Sequence, residues 1–391
     1  MEGDFIKIND WLLPLSWIYG AGVRLRNQMF EMGMLKSRSF DIPVISVGNI
    51  TVGGSGKTPH VEYLINLLRD KVKVAVLSRG YKRKSKGYML ATADTPMSDI
   101  GDEPYQMKKK FADIYVAVDK NRCHGIDQLT TNEETSDTDV ILLDDAYQHR
   151  YVKPGVNILL VDYHRLIMYD KLLPAGRLRE PQKGKARADI VIVSKCPADL
   201  KPMEFRVITK AMNLFPYQKL YFTTLKYGSL RPIYGGEDRK LDTLTGDTSI
   251  LLLTGIASPQ QMIVDLKPYT ERITPFTFPD HHQYTDADID RINAEFEAMK
   301  GNDKMIVTTE KDNARLCGME GLSDEVKKNI YVLPVEVGFM LDQEEDFNEN
   351  IIGYVRKKSR NSILAKAKDD NKSDNSDNSG NRTRTISFRN N

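Results

Sequence analysis

Apolar runs and amphipathic stretches alternate along this chain. Apolar runs rich in β-branched residues occupy positions 43–47, 74–78, 114–118, 140–143, 157–161 and 189–193. Each has the length and texture of a buried strand. Between several of them the apolar positions recur at helical spacing, as over 60–69. Strands alternating with helices predict an α/β fold with a mostly parallel sheet covered on both faces. Around 218–236 the texture changes to LYFTTLKYGSLRPIYGG, rich in Tyr and Thr with turn glycines, which predicts a short hairpin or an inter-domain ribbon. A second α/β run follows at 250–254, 305–309 and 330–335, with a helix over 286–299. From Lys357 the chain becomes polar and contains DNKSDNSDNSGN. That tail has too little apolar surface to offset the entropy of ordering, so disorder is expected. The expected organisation is an N-terminal segment at 1–38, an α/β domain at 39–217, a linker at 218–247, a smaller α/β domain at 248–356 and a tail at 357–391.

One segment departs from the soluble pattern. WLLPLSWIYGAGV, residues 11–23, carries no charge and holds both tryptophans of the chain. It is shorter than the ~20 apolar residues that a bilayer span needs. Arg24, Arg26, Lys36 and Arg38 follow it, against only Glu31. Aromatics, apolar bulk and flanking bases suit a helix lying on an anionic leaflet. A helix docked on the protein core fits the same residues, and both readings stay open here. The start, MEGDFIKIND, is a poor signal peptide because it is acidic.

Composition narrows the class. Of 391 residues 40% are hydrophobic and 28% charged, with a mean hydropathy of −0.44. This balance excludes a disordered chain or a polytopic membrane protein. The net charge of +2 is a cancellation: the tail holds nine Lys/Arg against four Asp/Glu, and the rest of the chain 47 against 50. A basic nucleic-acid binder is excluded for the body of the protein. Cys123, Cys196 and Cys317 form no CxxC pair, so neither a zinc site nor a disulfide framework is implied, and a reduced cytosolic compartment fits.

Several strings carry chemistry. Gly48-Asn49-Ile50-Thr51-Val52-Gly53-Gly54-Ser55-Gly56-Lys57-Thr58 follows the first strand and precedes a helix. A glycine-rich turn there lets backbone N–H groups wrap phosphates, aided by the helix N-terminus. Lys57 would reach the β- and γ-phosphates and Thr58 would ligate Mg²⁺. The pattern departs from G-x-x-x-x-G-K-[ST] in having Thr51 at the first glycine position. Asp144 and Asp145 end a buried strand, where two adjacent acids are costly unless a cation neutralises them, so a metal role is expected. Gln148 and His149 follow closely and can face the same pocket. The acids of Gly101-Asp102-Glu103-Pro104 before a helix are either helix-start residues or supply a carboxylate near the phosphates acting as general base. The loop LLPAGRLREP brings Arg177 and Arg179, whose guanidinium groups suit phosphate oxygens. Asp280-His281-His282 and Lys311-Asp312 sit at strand-to-loop boundaries of the second domain, each a weak signal alone.

Together VGNITVGGSGKTP, LSRGY, GDEP, DDAYQH, LLPAGRLREP, PDHHQY and TTEKD resemble the tetraacyldisaccharide 4′-kinase family, in family order over residues 12 to 340. The resemblance implies a P-loop NTPase-like α/β/α domain and a smaller α/β domain joined by a two-stranded ribbon, with the active site in the cleft. It implies ATP and Mg²⁺, and an acceptor that is a tetraacylated glucosamine disaccharide 1-phosphate. By resemblance Asp102 is the catalytic base, paired with His281 and beside Asp280. Lys57 and Arg179 are catalytic, and Asn49, Thr51, Val52, Gly53, Gly54, Ser55, Gly56, Lys57 and Thr58 hold the nucleotide. Thr58, Asp144, Asp145 and Glu180 stand at metal positions, and Arg122 and Gln148 at substrate positions. No nucleic acid and no obligate protein partner are implied. Peripheral contact with the cytoplasmic face of the inner membrane through the N-terminal helix is expected.

Two departures stand out. Ala146-Tyr147 replaces the family's Gly-Phe or Gly-Leu, and the polar tail is not a family feature. A GTP-driven regulatory P-loop protein needs an [NT]KxD string, which Ser194-Lys195-Cys196-Pro197 and Thr309-Glu310-Lys311-Asp312 both fail to supply. A soluble small-molecule kinase would use the same P-loop chemistry, and the charge-free N-terminus speaks against it.

Overall fold

The computed structural model describes residues 6, 8–256, 259–280, 282–316 and 319–358. Its strands are β1 (Val44–Gly48), β2 (Val74–Ser78), β3 (Met89–Leu90), β4 (Tyr115–Val118), β5 (Val140–Asp144), β6 (Val156–Asp162), β7 (Ile190–Ser194), β8 (Lys219–Tyr227), β9 (Arg231–Pro232), β10 (Ser249–Thr254), β11 (Ile273–Thr277), β12 (Lys304–Thr309), β13 (Ile330–Leu333) and β14 (Val335–Phe339). They form a 9-stranded sheet, ordered β14-β8-β7-β6-β1-β5-β2-β4-β3, and a 5-stranded sheet, ordered β11-β10-β12-β13-β9.

In the larger sheet the strands from β8 to β4 are parallel, and only the edges β14 and β3 run antiparallel. Both faces are covered, which is why its strands read as unbroken apolar runs. On one face Ile45, Val47, Val76 and Leu142 pack against Val61, Leu64 and Ile65 of the helix Lys57–Leu68 and against Phe347, Ile351 and Val355 of the helix Glu344–Lys358. On the other, Val44, Leu77 and Leu143 meet Ile126 and Leu129 of the helix Arg122–Thr131. Farther along that face, Leu159, Val161 and Val193 meet Phe205 and Ile208 of the helix Pro202–Met212. The carboxyl ends of adjacent β1 and β5 lie side by side, with Val47 opposite Asp144. In a parallel α/β sheet that edge is where ligands bind.

The chain crosses between the two sheets twice. It leaves the larger sheet after Tyr227 and returns at Val335, which pairs with Tyr227. The expected boundaries at 218–247 and 248–356 therefore change. Residues 219–227 are a strand of the larger sheet, 335–339 pair with them as its antiparallel edge, and 344–358 pack on its core. The second domain is an insertion between these crossings. The expected single strand over 330–335 is two strands in two sheets. Pro334, with no N–H to donate, sits at the change of sheet. The strand Ile273–Thr277 was not anticipated, because Pro275 argues against a strand; its place at the edge of the smaller sheet explains the tolerance.

The N-terminal segment forms the helix Leu13–Glu31 after a turn at Asp10–Leu12. It docks through small residues. Ser16 donates to the Leu172 carbonyl at 3.0 Å and accepts from the Ala175 N–H at 3.0 Å. A Cβ at Gly20 would come within 2.7 Å of Leu172. Its large apolar side chains point outward: Trp11 is 93% exposed, Trp17 70% and Ile18 71%. Among the described residues no helix is long and apolar enough to cross a membrane. The expected tail lies outside the described residues from 359 onward.

Phe347 anchors the returning helix within an aromatic cluster of Tyr63, Tyr221 and Phe339. Phe347→Ala is expected to cost about 3–5 kcal/mol, read as a lower midpoint in urea unfolding.

Candidate active site

The loop after β1 is held open by its own residues. Gly53 and Gly56 adopt φ of 115° and 77°, a region side chains rarely occupy. The fully buried Asn49 donates to Ser55 Oγ at 2.7 Å. Ser194 Oγ donates to the Ser55 carbonyl at 2.9 Å, and Lys195 Nζ donates to the Gly54 carbonyl and pairs with Asp162 at 3.0 Å. Asn49 and Ser55 thus shape the loop from inside. His60, one turn into the following helix, bridges the Gly56 carbonyl at 2.7 Å and Thr223 Oγ1 of β8 at 3.0 Å. Burial pushes its pKa down to about 4, so it bridges as a neutral ring.

The loop carrying Arg177 and Arg179 lies along this turn. Val52 N–H donates to the Arg177 carbonyl at 2.8 Å, and Arg179 N–H to the Ile50 carbonyl at 2.7 Å. Asp170 holds that loop by accepting from Arg165 at 2.7 and 2.9 Å and from the Arg177 N–H at 3.2 Å. Arg179 Nη2 donates to Asn49 Oδ1 and, at 3.2 Å, to Asp145. Glu180 is buried and accepts from Arg187 at 2.8 Å. A Cβ at Gly184 would meet its other oxygen at 2.7 Å. Its carboxylate braces this loop through Arg187.

The two adjacent acids occupy unlike environments. Asp144 is buried and accepts from Ser78 Oγ at 3.1 Å. Burial, with the charges of Asp145 and Glu103, pushes its pKa up to about 6. Burial also opposes ionisation of Asp145, yet Lys57 at 3.7 Å and Arg179 hold its carboxyl below the usual range. Asp145 has a φ of 45°, which turns it out of the strand line. Arg122, almost fully buried, donates to the Asp144 carbonyl at 3.3 Å and the Asp119 carbonyl at 3.2 Å. Its Nε is buried without a partner among the described residues. Burial, with Arg122, Arg26 and Arg79, drives the His149 pKa down to about 4.

A cleft of ≈ 1020 Å³ gathers these groups. The larger domain supplies Lys57 and Thr58 from the start of a helix and Asp144 and Asp145 from the end of β5, the second domain supplies Asp280, Thr309 and Lys311, and the N-terminal helix supplies Tyr19, Val23 and Arg26. Thr51 to Gly56, Arg122, Gln148, Arg179 and Glu180 line it too. Tyr19 donates to the Arg179 carbonyl at 2.7 Å, and Arg26 to the Gln148 carbonyl at 3.3 Å, so the helix is tied to the site.

Asp102 opens the helix Asp102–Lys110 and is buried at the domain interface. Both Nε and Nη2 of Arg315, from the second domain, donate to its Oδ2, at 2.9 and 2.6 Å. Arg315 also donates to Asp312 and to the Gly255 carbonyl, each at 3.0 Å. The neighbouring Glu103 lines the cleft and pairs with Lys311 at 2.6 Å. Lys110 joins Glu62 at 2.7 Å to Glu310 at 2.8 Å. Arg315 escaped the sequence reading, and Glu103 and Lys195 were met there without these partners. Only the adjacency of Arg315 to TTEKD could have suggested it. His281 lies outside the described residues.

Known proteins share this arrangement. A family model described as tetraacyldisaccharide-1-P 4′-kinase matches residues 8–356. A tetraacyldisaccharide 4′-kinase of Phocaeicola vulgatus is 60% identical over 363 residues, covering 93% of this chain and 99% of the relative. One of Bacteroides thetaiotaomicron is 54% identical, covering 93% and 98%. The crystal structure of LpxK from Aquifex aeolicus in complex with ATP superimposes with a TM-score of 0.67 at 31% identity, covering 88% of this chain and 98% of that one. A P-loop at the edge of a parallel sheet, facing an inserted second domain across a cleft, thus belongs to a chain of the tetraacyldisaccharide-1-P 4′-kinase family.

Proposed function

We propose that this protein transfers the γ-phosphoryl group of ATP to the 4′-hydroxyl of a tetraacylated glucosamine disaccharide 1-phosphate, a step of lipid A biosynthesis. One observation carries the reading: a single cleft is lined by phosphate-binding groups and by a helix whose outer face is apolar. Phosphoryl transfer asks mainly for positioning and charge stabilisation. Lys57 and Arg179 face the γ-phosphoryl group, and the loop N–H groups from Val52 to Thr58 hold the phosphate chain. Arg26, Arg79 and Arg122 give the cleft the positive wall that an anionic acceptor needs.

Thr58, Asp144 and Asp145 would hold Mg²⁺. The set fits that ion, which takes one or two carboxylates and completes its shell with phosphate oxygens and water. Burial and the neighbouring Asp145 and Glu103 charges raise the pKa of Asp144, and a cation held there would relieve that cost of ionisation. When bound, Mg²⁺ neutralises charge on the β- and γ-phosphate oxygens. Glu180 stays with Arg187.

Asp102 is the base. It accepts the proton of the 4′-hydroxyl as that oxygen bonds to the γ-phosphorus and the bond to the ADP oxygen breaks. Arg315 fixes its orientation, and His281 is assigned the supporting role implied by the family. Because Asp102 lies under the domain interface, movement of the second domain brings it to the acceptor.

The exposed Trp11, Trp17 and Ile18 support contact of the N-terminal helix with the cytoplasmic face of the inner membrane, where a substrate with four acyl chains would reside. No nucleic acid or protein partner enters this reading.

Three measurements test it. In a transfer assay with the acylated disaccharide in detergent micelles, Asp102→Asn is expected to lower kcat about 10²–10⁴-fold with little change in KM for ATP. Loss in Glu103→Gln instead would move the base by one residue. In metal-free protein, the raised folded pKa of Asp144 means stability falls as pH rises from about 4 through 6, by roughly 3 kcal/mol at pH 8. Asp144→Asn is therefore expected to raise the calorimetric Tm in EDTA at pH 8, with the gain vanishing toward pH 4. Trp11→Ser with Trp17→Ser is expected to reduce co-flotation with anionic vesicles severalfold while leaving Tm unchanged, since both rings are exposed.

A further inference from the structure

A second cavity, of ≈ 590 Å³, lies behind the Asp144–Asp145 segment. Its wall includes Tyr147, while Gln148 faces the catalytic cleft, and His149 and Arg150 border both spaces. Residues 146–150 are thus a partition between two chambers.

The floor is unusual for this sheet. Ser46 of β1 and Asn157 of β6 are register partners. They sit between two apolar clusters, one with Val44 and Leu143, the other with Leu159 and Val161. Both are buried, with exposures of 2% and 8%. Among the described residues, Ser46 Oγ and Asn157 Oδ1 have no hydrogen-bond partner. Buried polar atoms are nearly always paired, so two orphans across one ladder pair mark a missing polar group. Asn157 Nδ2 is engaged by the Arg187 carbonyl at 3.0 Å, which fixes the amide with its oxygen as the open group.

The rim is cationic. Arg150, Lys153, Arg187 and Lys358 border the cavity, against one carboxylate, Asp189. Arg187 is committed to Glu180, and Asp189 accepts from the Asn157 N–H at 2.8 Å. Lys153 and Lys358 make no ion pair among the described residues. They come from the β5–β6 crossover and the end of the last described helix, so the two charges converge from distant parts of the chain. Like charge argues against the basic tail as the occupant.

We propose that this cavity binds a phosphorylated polyol, with hydroxyls on Ser46 and Asn157 and the phosphate between Lys153 and Lys358. The hydroxyl floor needs a group that both donates and accepts, and the lysines supply charge without bidentate geometry, which suits a phosphate. Glycerol phosphate has both parts, either as a free metabolite or as the headgroup of an anionic phospholipid. Its occupant would touch the partition that carries the catalytic acids on its other side.

The test is isothermal titration of the full chain with glycerol 3-phosphate, with Mg²⁺ and a non-hydrolysable ATP analogue saturating the cleft. Saturable one-site binding is expected, at least tenfold weaker in Lys153→Glu/Lys358→Glu, whose exposed side chains make no hydrogen bond or ion pair among the described residues. Ser46→Ala is expected to weaken glycerol 3-phosphate while leaving inorganic phosphate unchanged. No saturable heat, or equal affinity in the charge-reversed variant, would overturn the proposal and leave a water-filled cavity. Displacement by phosphatidylglycerol vesicles but not by phosphatidylcholine vesicles identifies a lipid headgroup as the source. Retention in both identifies a soluble phosphate.

Discussion

Two carboxylates side by side at the end of a buried strand set the terms for everything around them. Their mutual repulsion and desolvation must be offset, and the chain does so asymmetrically. Asp145 turns out through a strained backbone to meet Lys57 and Arg179, while Asp144 stays inside with Ser78 and a proton-prone carboxyl. Lys57 belongs to the phosphate loop and Arg179 to the loop beside it. The same charges that make Asp145 tolerable therefore fix the spacing between the glycine-rich loop and the two acids. Arg122, pinned under Asp144 by two carbonyls, adds positive potential without neutralising either acid directly.

The second constraint is the seam between the domains. Three cations cross or close it: Arg315 to Asp102, Lys311 to Glu103 and Lys110 to Glu310. Isolated surface pairs contribute little, but these are largely shielded, and the Arg315 guanidinium is fully buried. Breaking one partner leaves a buried charge, so the seam is specific in register as well as attractive. It holds the proposed base at the domain interface.

Much of this was legible in the residues. The central strands announced themselves because both faces are covered, so no alternation diluted the apolar runs. The phosphate loop and the paired acids were visible because their chemistry is local. Pro275 masked an edge strand, and the run over 330–335 concealed a switch of sheets at Pro334. The reading of 218–247 as a linker failed because the Tyr- and Thr-rich strand at 219–227 buries Tyr221, Phe222 and Thr223 in the main sheet. Arg315 was invisible, since its partner lies 213 positions away and no local pattern encodes that distance. Of the two readings left open for the N-terminal helix, docking on the body is seen, through its small residues, while its large apolar side chains face outward.

The double crossing between the sheets has a mechanical corollary. A domain tethered by one strand can swivel, twist and sway. This one is tethered by two, and they are hydrogen-bonded to each other up to the crossing, where the Gly228 N–H meets the Pro334 carbonyl at 3.1 Å. Rotation about the ribbon's length would shear that ladder, whereas bending across its plane leaves the bonds intact. The insertion is thereby reduced to a single soft degree of freedom, like a door on two pins. Each opening and closing then retraces one arc, so Thr309 and Lys311 of the insertion approach the glycine-rich loop of the larger sheet along the same path each time.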